Sequence, residues 1–360
     1  MAPAVLSARL CARDEAPAPR ANAARAPAVD SPFEFGGTVG LAGVAEVGEA
    51  AGVAECANGA DISHEAARAA RLAPTLSDTQ LARYAITALI DEAQLTPKPA
   101  LVDRRGSGAH RDLDLDTMLR SAHALEPTFA TLARAARRRG EPSALLRTEL
   151  AQIGRAGELD MLHATGGTNA HRGAIWIVGL LVAGASLPAG AVRPNASRIC
   201  TGAAQIACFP DRFAAPADSH GERARQRYHV GGARREAQDG FPHVVEVGLP
   251  ALLAARERGI DENAARVDTL LSIMAKLDDT CLLHRAGLPG LHAGQHGAQR
   301  VLDAGGSSTP AGLEALAALE HNLLTLNASP GGAADLLAAT LFLDMLAHHD
   351  ANGSPDTWNI

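Results

Sequence analysis

Apolar residues recur at helical spacing along most of the chain, and no run of useful length alternates apolar with polar as a strand would. Leu81, Ala85, Ala88 and Leu89 share one face of a segment that runs to Leu95. Ser77 or Asp78 stands where a cap is needed, and Pro97 and Pro99 stop the pattern. The same spacing predicts helices over 115–139, 143–164, 169–187, 261–286 and 330–349. The first of these closes in Arg137, Arg138 and Arg139 followed by Gly140, cations in a last turn with glycine after it. From Gly173 to Val192 no residue is charged, which is long enough to cross a bilayer. Gly173, Gly179, Gly184, Ser186 and Pro188 interrupt that stretch, so it reads as a buried core helix. The segment 209–243 is charged, glycine-punctuated and loop-like.

The pattern therefore predicts an all-α protein: one large multi-helix domain over 73–350, built around a central buried apolar helix. The Ala-, Pro- and Gly-rich stretch 1–72 is expected to be a flexible, poorly ordered leader, and 351–360 a tail.

Composition agrees. Hydrophobic residues make up 47% of the 360 and charged residues 20%, but aromatics only 3%, so the core must be built from Ala, Leu and Val. A net charge of −7 argues against a broad nucleic-acid surface while leaving room for one local anion pocket. Five cysteines, loosely spaced and without a CxxC pair, argue against a disulfide framework or a zinc knuckle. With no signal-peptide core at the N-terminus, a cytoplasmic, non-membrane protein is expected.

Familiar catalytic signatures are missing. There is no GxxxxGK[ST] loop, and Gly106 and Gly108 lack the third glycine of a dinucleotide loop. Asp112, Asp114 and Asp116 alternate as in a calcium loop, but Thr117 and His123 occupy its turn and closing positions. His292 and His296 lie one turn apart without a third ligand.

Four segments concentrate polar residues among glycines: 96–114, 158–173, 231–242 and 329–337. In the second, Gly166 and Gly167 break a helix, and Thr168 or Asn169 caps the next, with His171 and Arg172 in its first turn. Cations there oppose the helix dipole. An anion held by Arg172 and the N-terminal N–H groups would resolve the conflict, and so would a pairing of Arg172 with Glu158; both stay open. In the fourth, Ser329 is a natural N-cap, Gly331 and Gly332 allow close approach, and Asp335 adds a carboxylate. Asp278 and Asp279 close a helical run, with Arg285 on the same face as Asp278.

Six blocks together resemble the triphosphoribosyl-dephospho-coenzyme A synthase family: TPKP at 96–99, GSGAHRDLD at 106–114, TGGTNAHRGA at 165–174, GARREAQDGFP at 232–242, DDTCLLHRAG at 278–287 and SPGGAADLLA at 329–338. The resemblance spans about 76–345. It implies an all-helical enzyme that moves the 5-triphosphoribosyl group of ATP to the ribose 2′-hydroxyl of 3′-dephospho-CoA and releases adenine. The product is the prosthetic-group precursor of an acyl carrier subunit, and the DDTC and HRDLD blocks look more like the malonate decarboxylase branch than the citrate lyase branch. Two positions depart from the family's pattern, His229 for a glycine and Ala333 for a serine.

Such chemistry passes through an oxocarbenium-like state and calls for cations or Mg²⁺ at the triphosphate, a carboxylate near the anomeric carbon, and groups that move protons. On this basis Lys98, Arg104, Arg172 and Arg234 are assigned to phosphates. Gly166, Gly167, Asn169, Glu236, Arg285, Ser329, Gly331 and Gly332 are assigned to substrate binding. Asp103, Asp112, Asp279 and Asp335 are the metal candidates. Glu158 is the candidate base or cation-stabilising carboxylate, and His171 and His110 the proton-transfer candidates. A homodimer is left open. A nucleotide N-glycosidase using water, and a non-catalytic helical binding protein, are the competing readings.

Overall fold

A computed structural model describes residues 76–188, 195–214 and 219–352; the leader expected over 1–72 and most of the tail lie outside the described residues. Helices account for nearly all regular structure there, with no strand beyond an isolated bridge between Asp103 and Gly106.

Helix α1 spans Asp78–Gln94 and starts at a capping box: Ser77 accepts the Gln80 N–H while the Gln80 side chain accepts the Ser77 N–H. The run expected over 115–139 divides into α2 (Leu115–Ala124) and α3 (Glu126–Arg139), because Pro127 can only enter a helix in its first turn. Gly140 ends α3 in the left-handed region, as the cation–glycine pattern requires. Helix α4 covers Ala144–Ala164.

Helix α5, Arg172–Ser186, is the central apolar one. It packs against α1, α3 and α4 and against three later helices, and eleven of its fifteen residues are buried. No helix among the described residues is long and apolar enough to cross a membrane.

The stretch 209–243 is more helical than its composition suggests. After α6 (Ala196–Cys208) come α7 (His220–Tyr228) and α8 (Gly232–Gln238). His229 ends α7 at φ 56° and ψ 35°, a left-handed position where glycine is cheapest and where histidine is better tolerated than most residues. A π-helical turn, His243–Gly248, then leads into α9 (Leu249–Glu257). The run expected over 261–286 also divides, into α10 (Glu262–Met274) and α11 (Thr280–Asp303). Asp279 therefore begins a helix rather than ending one. Helix α11 kinks at Gly287, just before Pro289. Helices α12 (Pro310–Thr325) and α13 (Gly331–Asn352) complete the fold, and α13 lies against α1, α5 and α10.

Candidate active site

Three helices begin at one place. Gly173, in the first turn of α5, faces Asp335 near the start of α13 so closely that a Cβ on it would lie 1.9 Å from the carboxylate Oδ2. Gly332 of α13 faces Asp279, the N-cap of α11, and a Cβ there would lie 2.9 Å from Oδ1; one on Gly331 would lie 3.1 Å from Cys281 Sγ. Glycine is needed at these positions because of approach, not flexibility. Aligned N–H dipoles at three helix starts give the region a positive potential that suits carboxylates and anionic ligands.

Asp279 holds two of these starts together. Its Oδ1 accepts the N–H of Cys281 at 2.7 Å and of Leu282 at 3.4 Å, and its Oδ2 accepts the N–H of Ala333 at 3.0 Å. Ser329, expected to cap α13, instead bonds His110 Nε2 through its Oγ at 3.0 Å, so α13 is capped from α11. Burial still pushes the Asp279 carboxyl up against these hydrogen bonds. Asp335 accepts no hydrogen bond among the described residues. Burial pushes its carboxyl well above the ordinary value, and the nearby Glu92 and Asp279 push further.

Glu92 is the residue that sequence reasoning missed. It lies on the buried face of α1, one turn beyond Ala88 and Leu89, and is 4% exposed. The Lys98 ammonium, 1% exposed, donates to Glu92 Oε1 and to its backbone carbonyl, both at 2.6 Å. The sequence assigns Lys98 to a phosphate; in the structure its charge is committed to a buried carboxylate.

His171 belongs to the same cluster. It is the N-cap residue of α5 rather than part of its first turn, 3% exposed, with Nδ1 2.7 Å from the Ser121 hydroxyl and Nε2 without a partner. Burial, then the charge of Lys98, hold its pKa down at about 4. His110 is held at about 4 by burial and then by Arg285. Arg285 donates from Nη2 to His110 Nδ1 at 3.1 Å and from Nη1 to the Ala109 carbonyl at 2.9 Å. A guanidinium is always a donor, so Nδ1 is unprotonated and Nε2–H donates to Ser329. Both imidazoles are neutral near pH 7 and weakly basic; the one lone pair of His110 is already taken by Arg285, whereas Nε2 of His171 has no partner.

At the other edge of α5, Arg172 Nε donates to Glu158 Oε2 at 3.1 Å, both side chains part-exposed, and Asn169 Oδ1 accepts the Arg172 N–H at 3.1 Å. The pairing left open by the sequence is thus made. Gly166 and Gly167, at φ 67° and 99°, provide the turn that brings α4 back to α5.

Other assigned residues make their own local contacts. Asp103, 2% exposed, closes its own loop: it accepts from Thr96 Oγ1, the N–H of Lys98, and the N–H and Nε of Arg105 at 2.7–3.0 Å. Burial would raise its carboxyl, but these donors outweigh it and hold it below the ordinary value. Arg105 continues to Glu320 at 2.8 Å, pinning the loop to α12. Arg104 is exposed and reaches Gln94, Asp112 is exposed, and Arg234 is exposed on α8. Glu236 is buried and bonds His243 Nδ1 at 2.7 Å, which raises the imidazole's pKa although burial opposes it. The four metal candidates are therefore not brought together as one set, and no group of three His, Cys, Asp or Glu side chains among the described residues could hold a cation. This donor set does not fit a resident Mg²⁺.

A family model described as ATP:dephospho-CoA triphosphoribosyl transferase (CitG) matches residues 78–354. A relative from Azotobacter vinelandii, named probable 2-(5''-triphosphoribosyl)-3'-dephosphocoenzyme-A synthase, is 57% identical over 274 residues, which cover 76% of this chain and 93% of the relative. Relatives of the same name from Pseudomonas paraeruginosa (58% over 266 residues, 74% of this chain and 90% of the relative) and Stutzerimonas stutzeri (57% over 279 residues, 77% and 94%) are similar. No solved structure matches the chain.

Proposed function

The chain belongs to the ATP:dephospho-CoA triphosphoribosyl transferase family, and from that premise we propose that it is a triphosphoribosyl-dephospho-CoA synthase. The C1′–N9 bond of ATP breaks, a bond forms between C1′ and the 2′-oxygen of 3′-dephospho-CoA, and the hydroxyl proton leaves, in net terms, with adenine. The observation that carries this reading is the meeting of three helix starts around the buried Asp279 and the half-buried Asp335, drawn from segments far apart in the sequence. That arrangement offers N–H dipoles to phosphates and carboxylates to a developing ribosyl cation within one small volume.

Glu158 is the carboxylate we assign to the anomeric centre or the acceptor hydroxyl, because it is reachable from solvent and held by Arg172. His171, whose Nε2 is unpartnered, is the proposed proton acceptor, and His110, held between Arg285 and Ser329, the proposed positioning residue beside it. Arg172, Arg104 and Arg234 are the reachable cations for phosphate. Lys98 is better placed to neutralise Glu92 and set the field around His171 than to touch a phosphate. Any Mg²⁺ enters with ATP, as part of the substrate. The DDTC and HRDLD blocks favour a product destined for the acyl carrier subunit of a malonate decarboxylase, made in the cytoplasm.

The test is a product assay with purified protein, ATP, Mg²⁺ and 3′-dephospho-CoA, following adenine and the coupled nucleotide by chromatography with mass detection. Adenine appearing only with the acceptor, alongside the triphosphoribosyl adduct, is expected. Adenine without acceptor would instead identify an N-glycosidase, and a folded sample releasing none would remove the catalytic reading.

A further inference from the structure

Between α4 and α5 lies a cavity of ≈ 190 Å³, lined among others by Arg147, Gly154, Arg155, Glu158, Trp176 and Asp211. It has room for one chemical group rather than a whole coenzyme. Glu158 lines it and is held by Arg172, the first residue of α5, which links the cavity to the candidate active site.

Arg147 is the unusual member. It is 9% exposed, its guanidinium lies 4.8 Å from the centre of the Trp176 ring, and it makes no side-chain hydrogen bond among the described residues; its Nε is buried without any acceptor. The carboxylate whose charge acts on it is already used: Asp211 accepts from Arg155 Nη1 at 2.7 Å. Trp176 is anchored by its Nε1–H to the Ala233 carbonyl at 3.1 Å, which brings α8 and its Arg234 to the same side. Burial draws the Arg147 guanidinium below its ordinary value, Asp211 counters, and Arg234 and Arg155 draw it down again. A buried cation with free donors and cationic neighbours costs stability unless an anion completes it. The planar guanidinium, stacked on an indole with its fork free, matches a phosphoryl group.

We infer that this cavity is a phosphoryl subsite, in which Arg147, held against Trp176, binds a phosphate of one of the two nucleotide substrates. The inference rests on the transferase reading for the identity of those substrates. The phosphate comes either from the triphosphate of ATP or from the diphosphate of the acceptor.

The experiment compares wild type with Arg147→Met, which keeps volume and removes charge, and Arg147→Lys, which keeps charge. Steady-state kinetics give a KM for each nucleotide, and calorimetry gives the affinity for inorganic triphosphate. Loss of charge-assisted hydrogen bonds should raise one KM about ten- to a hundredfold with kcat little changed, and weaken triphosphate binding, with Lys restoring part of both. A rise for ATP alone names the triphosphate as the occupant; a rise for the acceptor alone names its diphosphate. The melting temperature of Arg147→Met should be unchanged or higher, whereas a purely structural arginine would lower it and leave both KM values alone. That last pattern, or unchanged KM values and triphosphate affinity, overturns the inference. If Arg147→Met does not fold, Trp358→Phe leaves Trp176 as the single indole, and its emission should shift on titration with triphosphate; a flat titration also overturns it. Arg147-dependent triphosphate binding without any adenine release would sink the transferase reading but not the subsite, and turnover indifferent to Arg147 would do the reverse.

Discussion

His171 makes the folded protein acid-sensitive by a calculable amount. Its imidazole has an ordinary pKa of 6.5 and is held at about 4 in the fold, chiefly by burial and then by Lys98. Above pH 6.5 neither the folded nor the unfolded chain carries a proton on this ring. Between 6.5 and 4 the unfolded chain takes one up and the folded chain does not, so stability falls as the pH drops through that window. Moving from pH 7.5 to 5.5 should cost about 1 kcal/mol from this one group, and a further drop to pH 4.5 about as much again. The assay is urea unfolding of wild type and His171→Gln at the three pH values, read by far-ultraviolet circular dichroism. The glutamine variant should start lower, because it disturbs the Ser121 contact. It should nevertheless lose about 1 kcal/mol less than wild type between pH 7.5 and 5.5. Parallel losses in the two proteins would refute the argument, since they would mean that the ring titrates in the fold as it does in the unfolded chain.

Three further outcomes follow from the same centre. Asp279→Ala removes the acceptor shared by α11 and α13, and should cost about 2–3 kcal/mol in urea unfolding, two N-caps' worth; a loss below about 0.5 kcal/mol would mean the shared cap is not formed. Lys98→Met should cost about 3–5 kcal/mol by stranding the buried Glu92 carboxylate, and adding Glu92→Gln should recover part of it; additive losses in the double variant would show that the two side chains do not interact. Gly173→Ala should drive α5 and α13 apart at Asp335, costing about 1–3 kcal/mol and most of the adenine release; a variant with wild-type turnover would place the reaction elsewhere.

Much of the fold was legible because 3.6-residue periodicity survives in an Ala- and Leu-rich chain. The misreadings share a cause. Periodicity does not register a break that keeps the apolar phase, so 115–139 and 261–286 each looked like one helix, although Pro127 and the capping geometry of Asp279 divide them. The polar blocks of 158–173, 278–287 and 329–338 were visible as clusters, and their convergence is what the fold adds. Glu92 was hidden by its surroundings. A carboxylate on the apolar stripe of α1 is a signal of burial, but only its place in register with Ala85, Ala88 and Leu89 gives it away. Ser329 illustrates the opposite limit. Local sequence marks it as a cap, and only the tertiary structure supplies the competing partner, His110, and the substitute cap, Asp279.

That substitute cap has a consequence for how the chain comes off the ribosome. The carboxylate at 279 is synthesised 54 positions before the amide it must satisfy at 333. Until α13 has emerged and docked, the proposed reaction centre exists only as separate pieces, with one helix start lacking its acceptor and Asp279 lacking its neighbours. A chain cut short anywhere before Gly331 should therefore be not a weakened enzyme but an inert and protease-accessible one. The proposed site should become competent only once α13 has docked on α11.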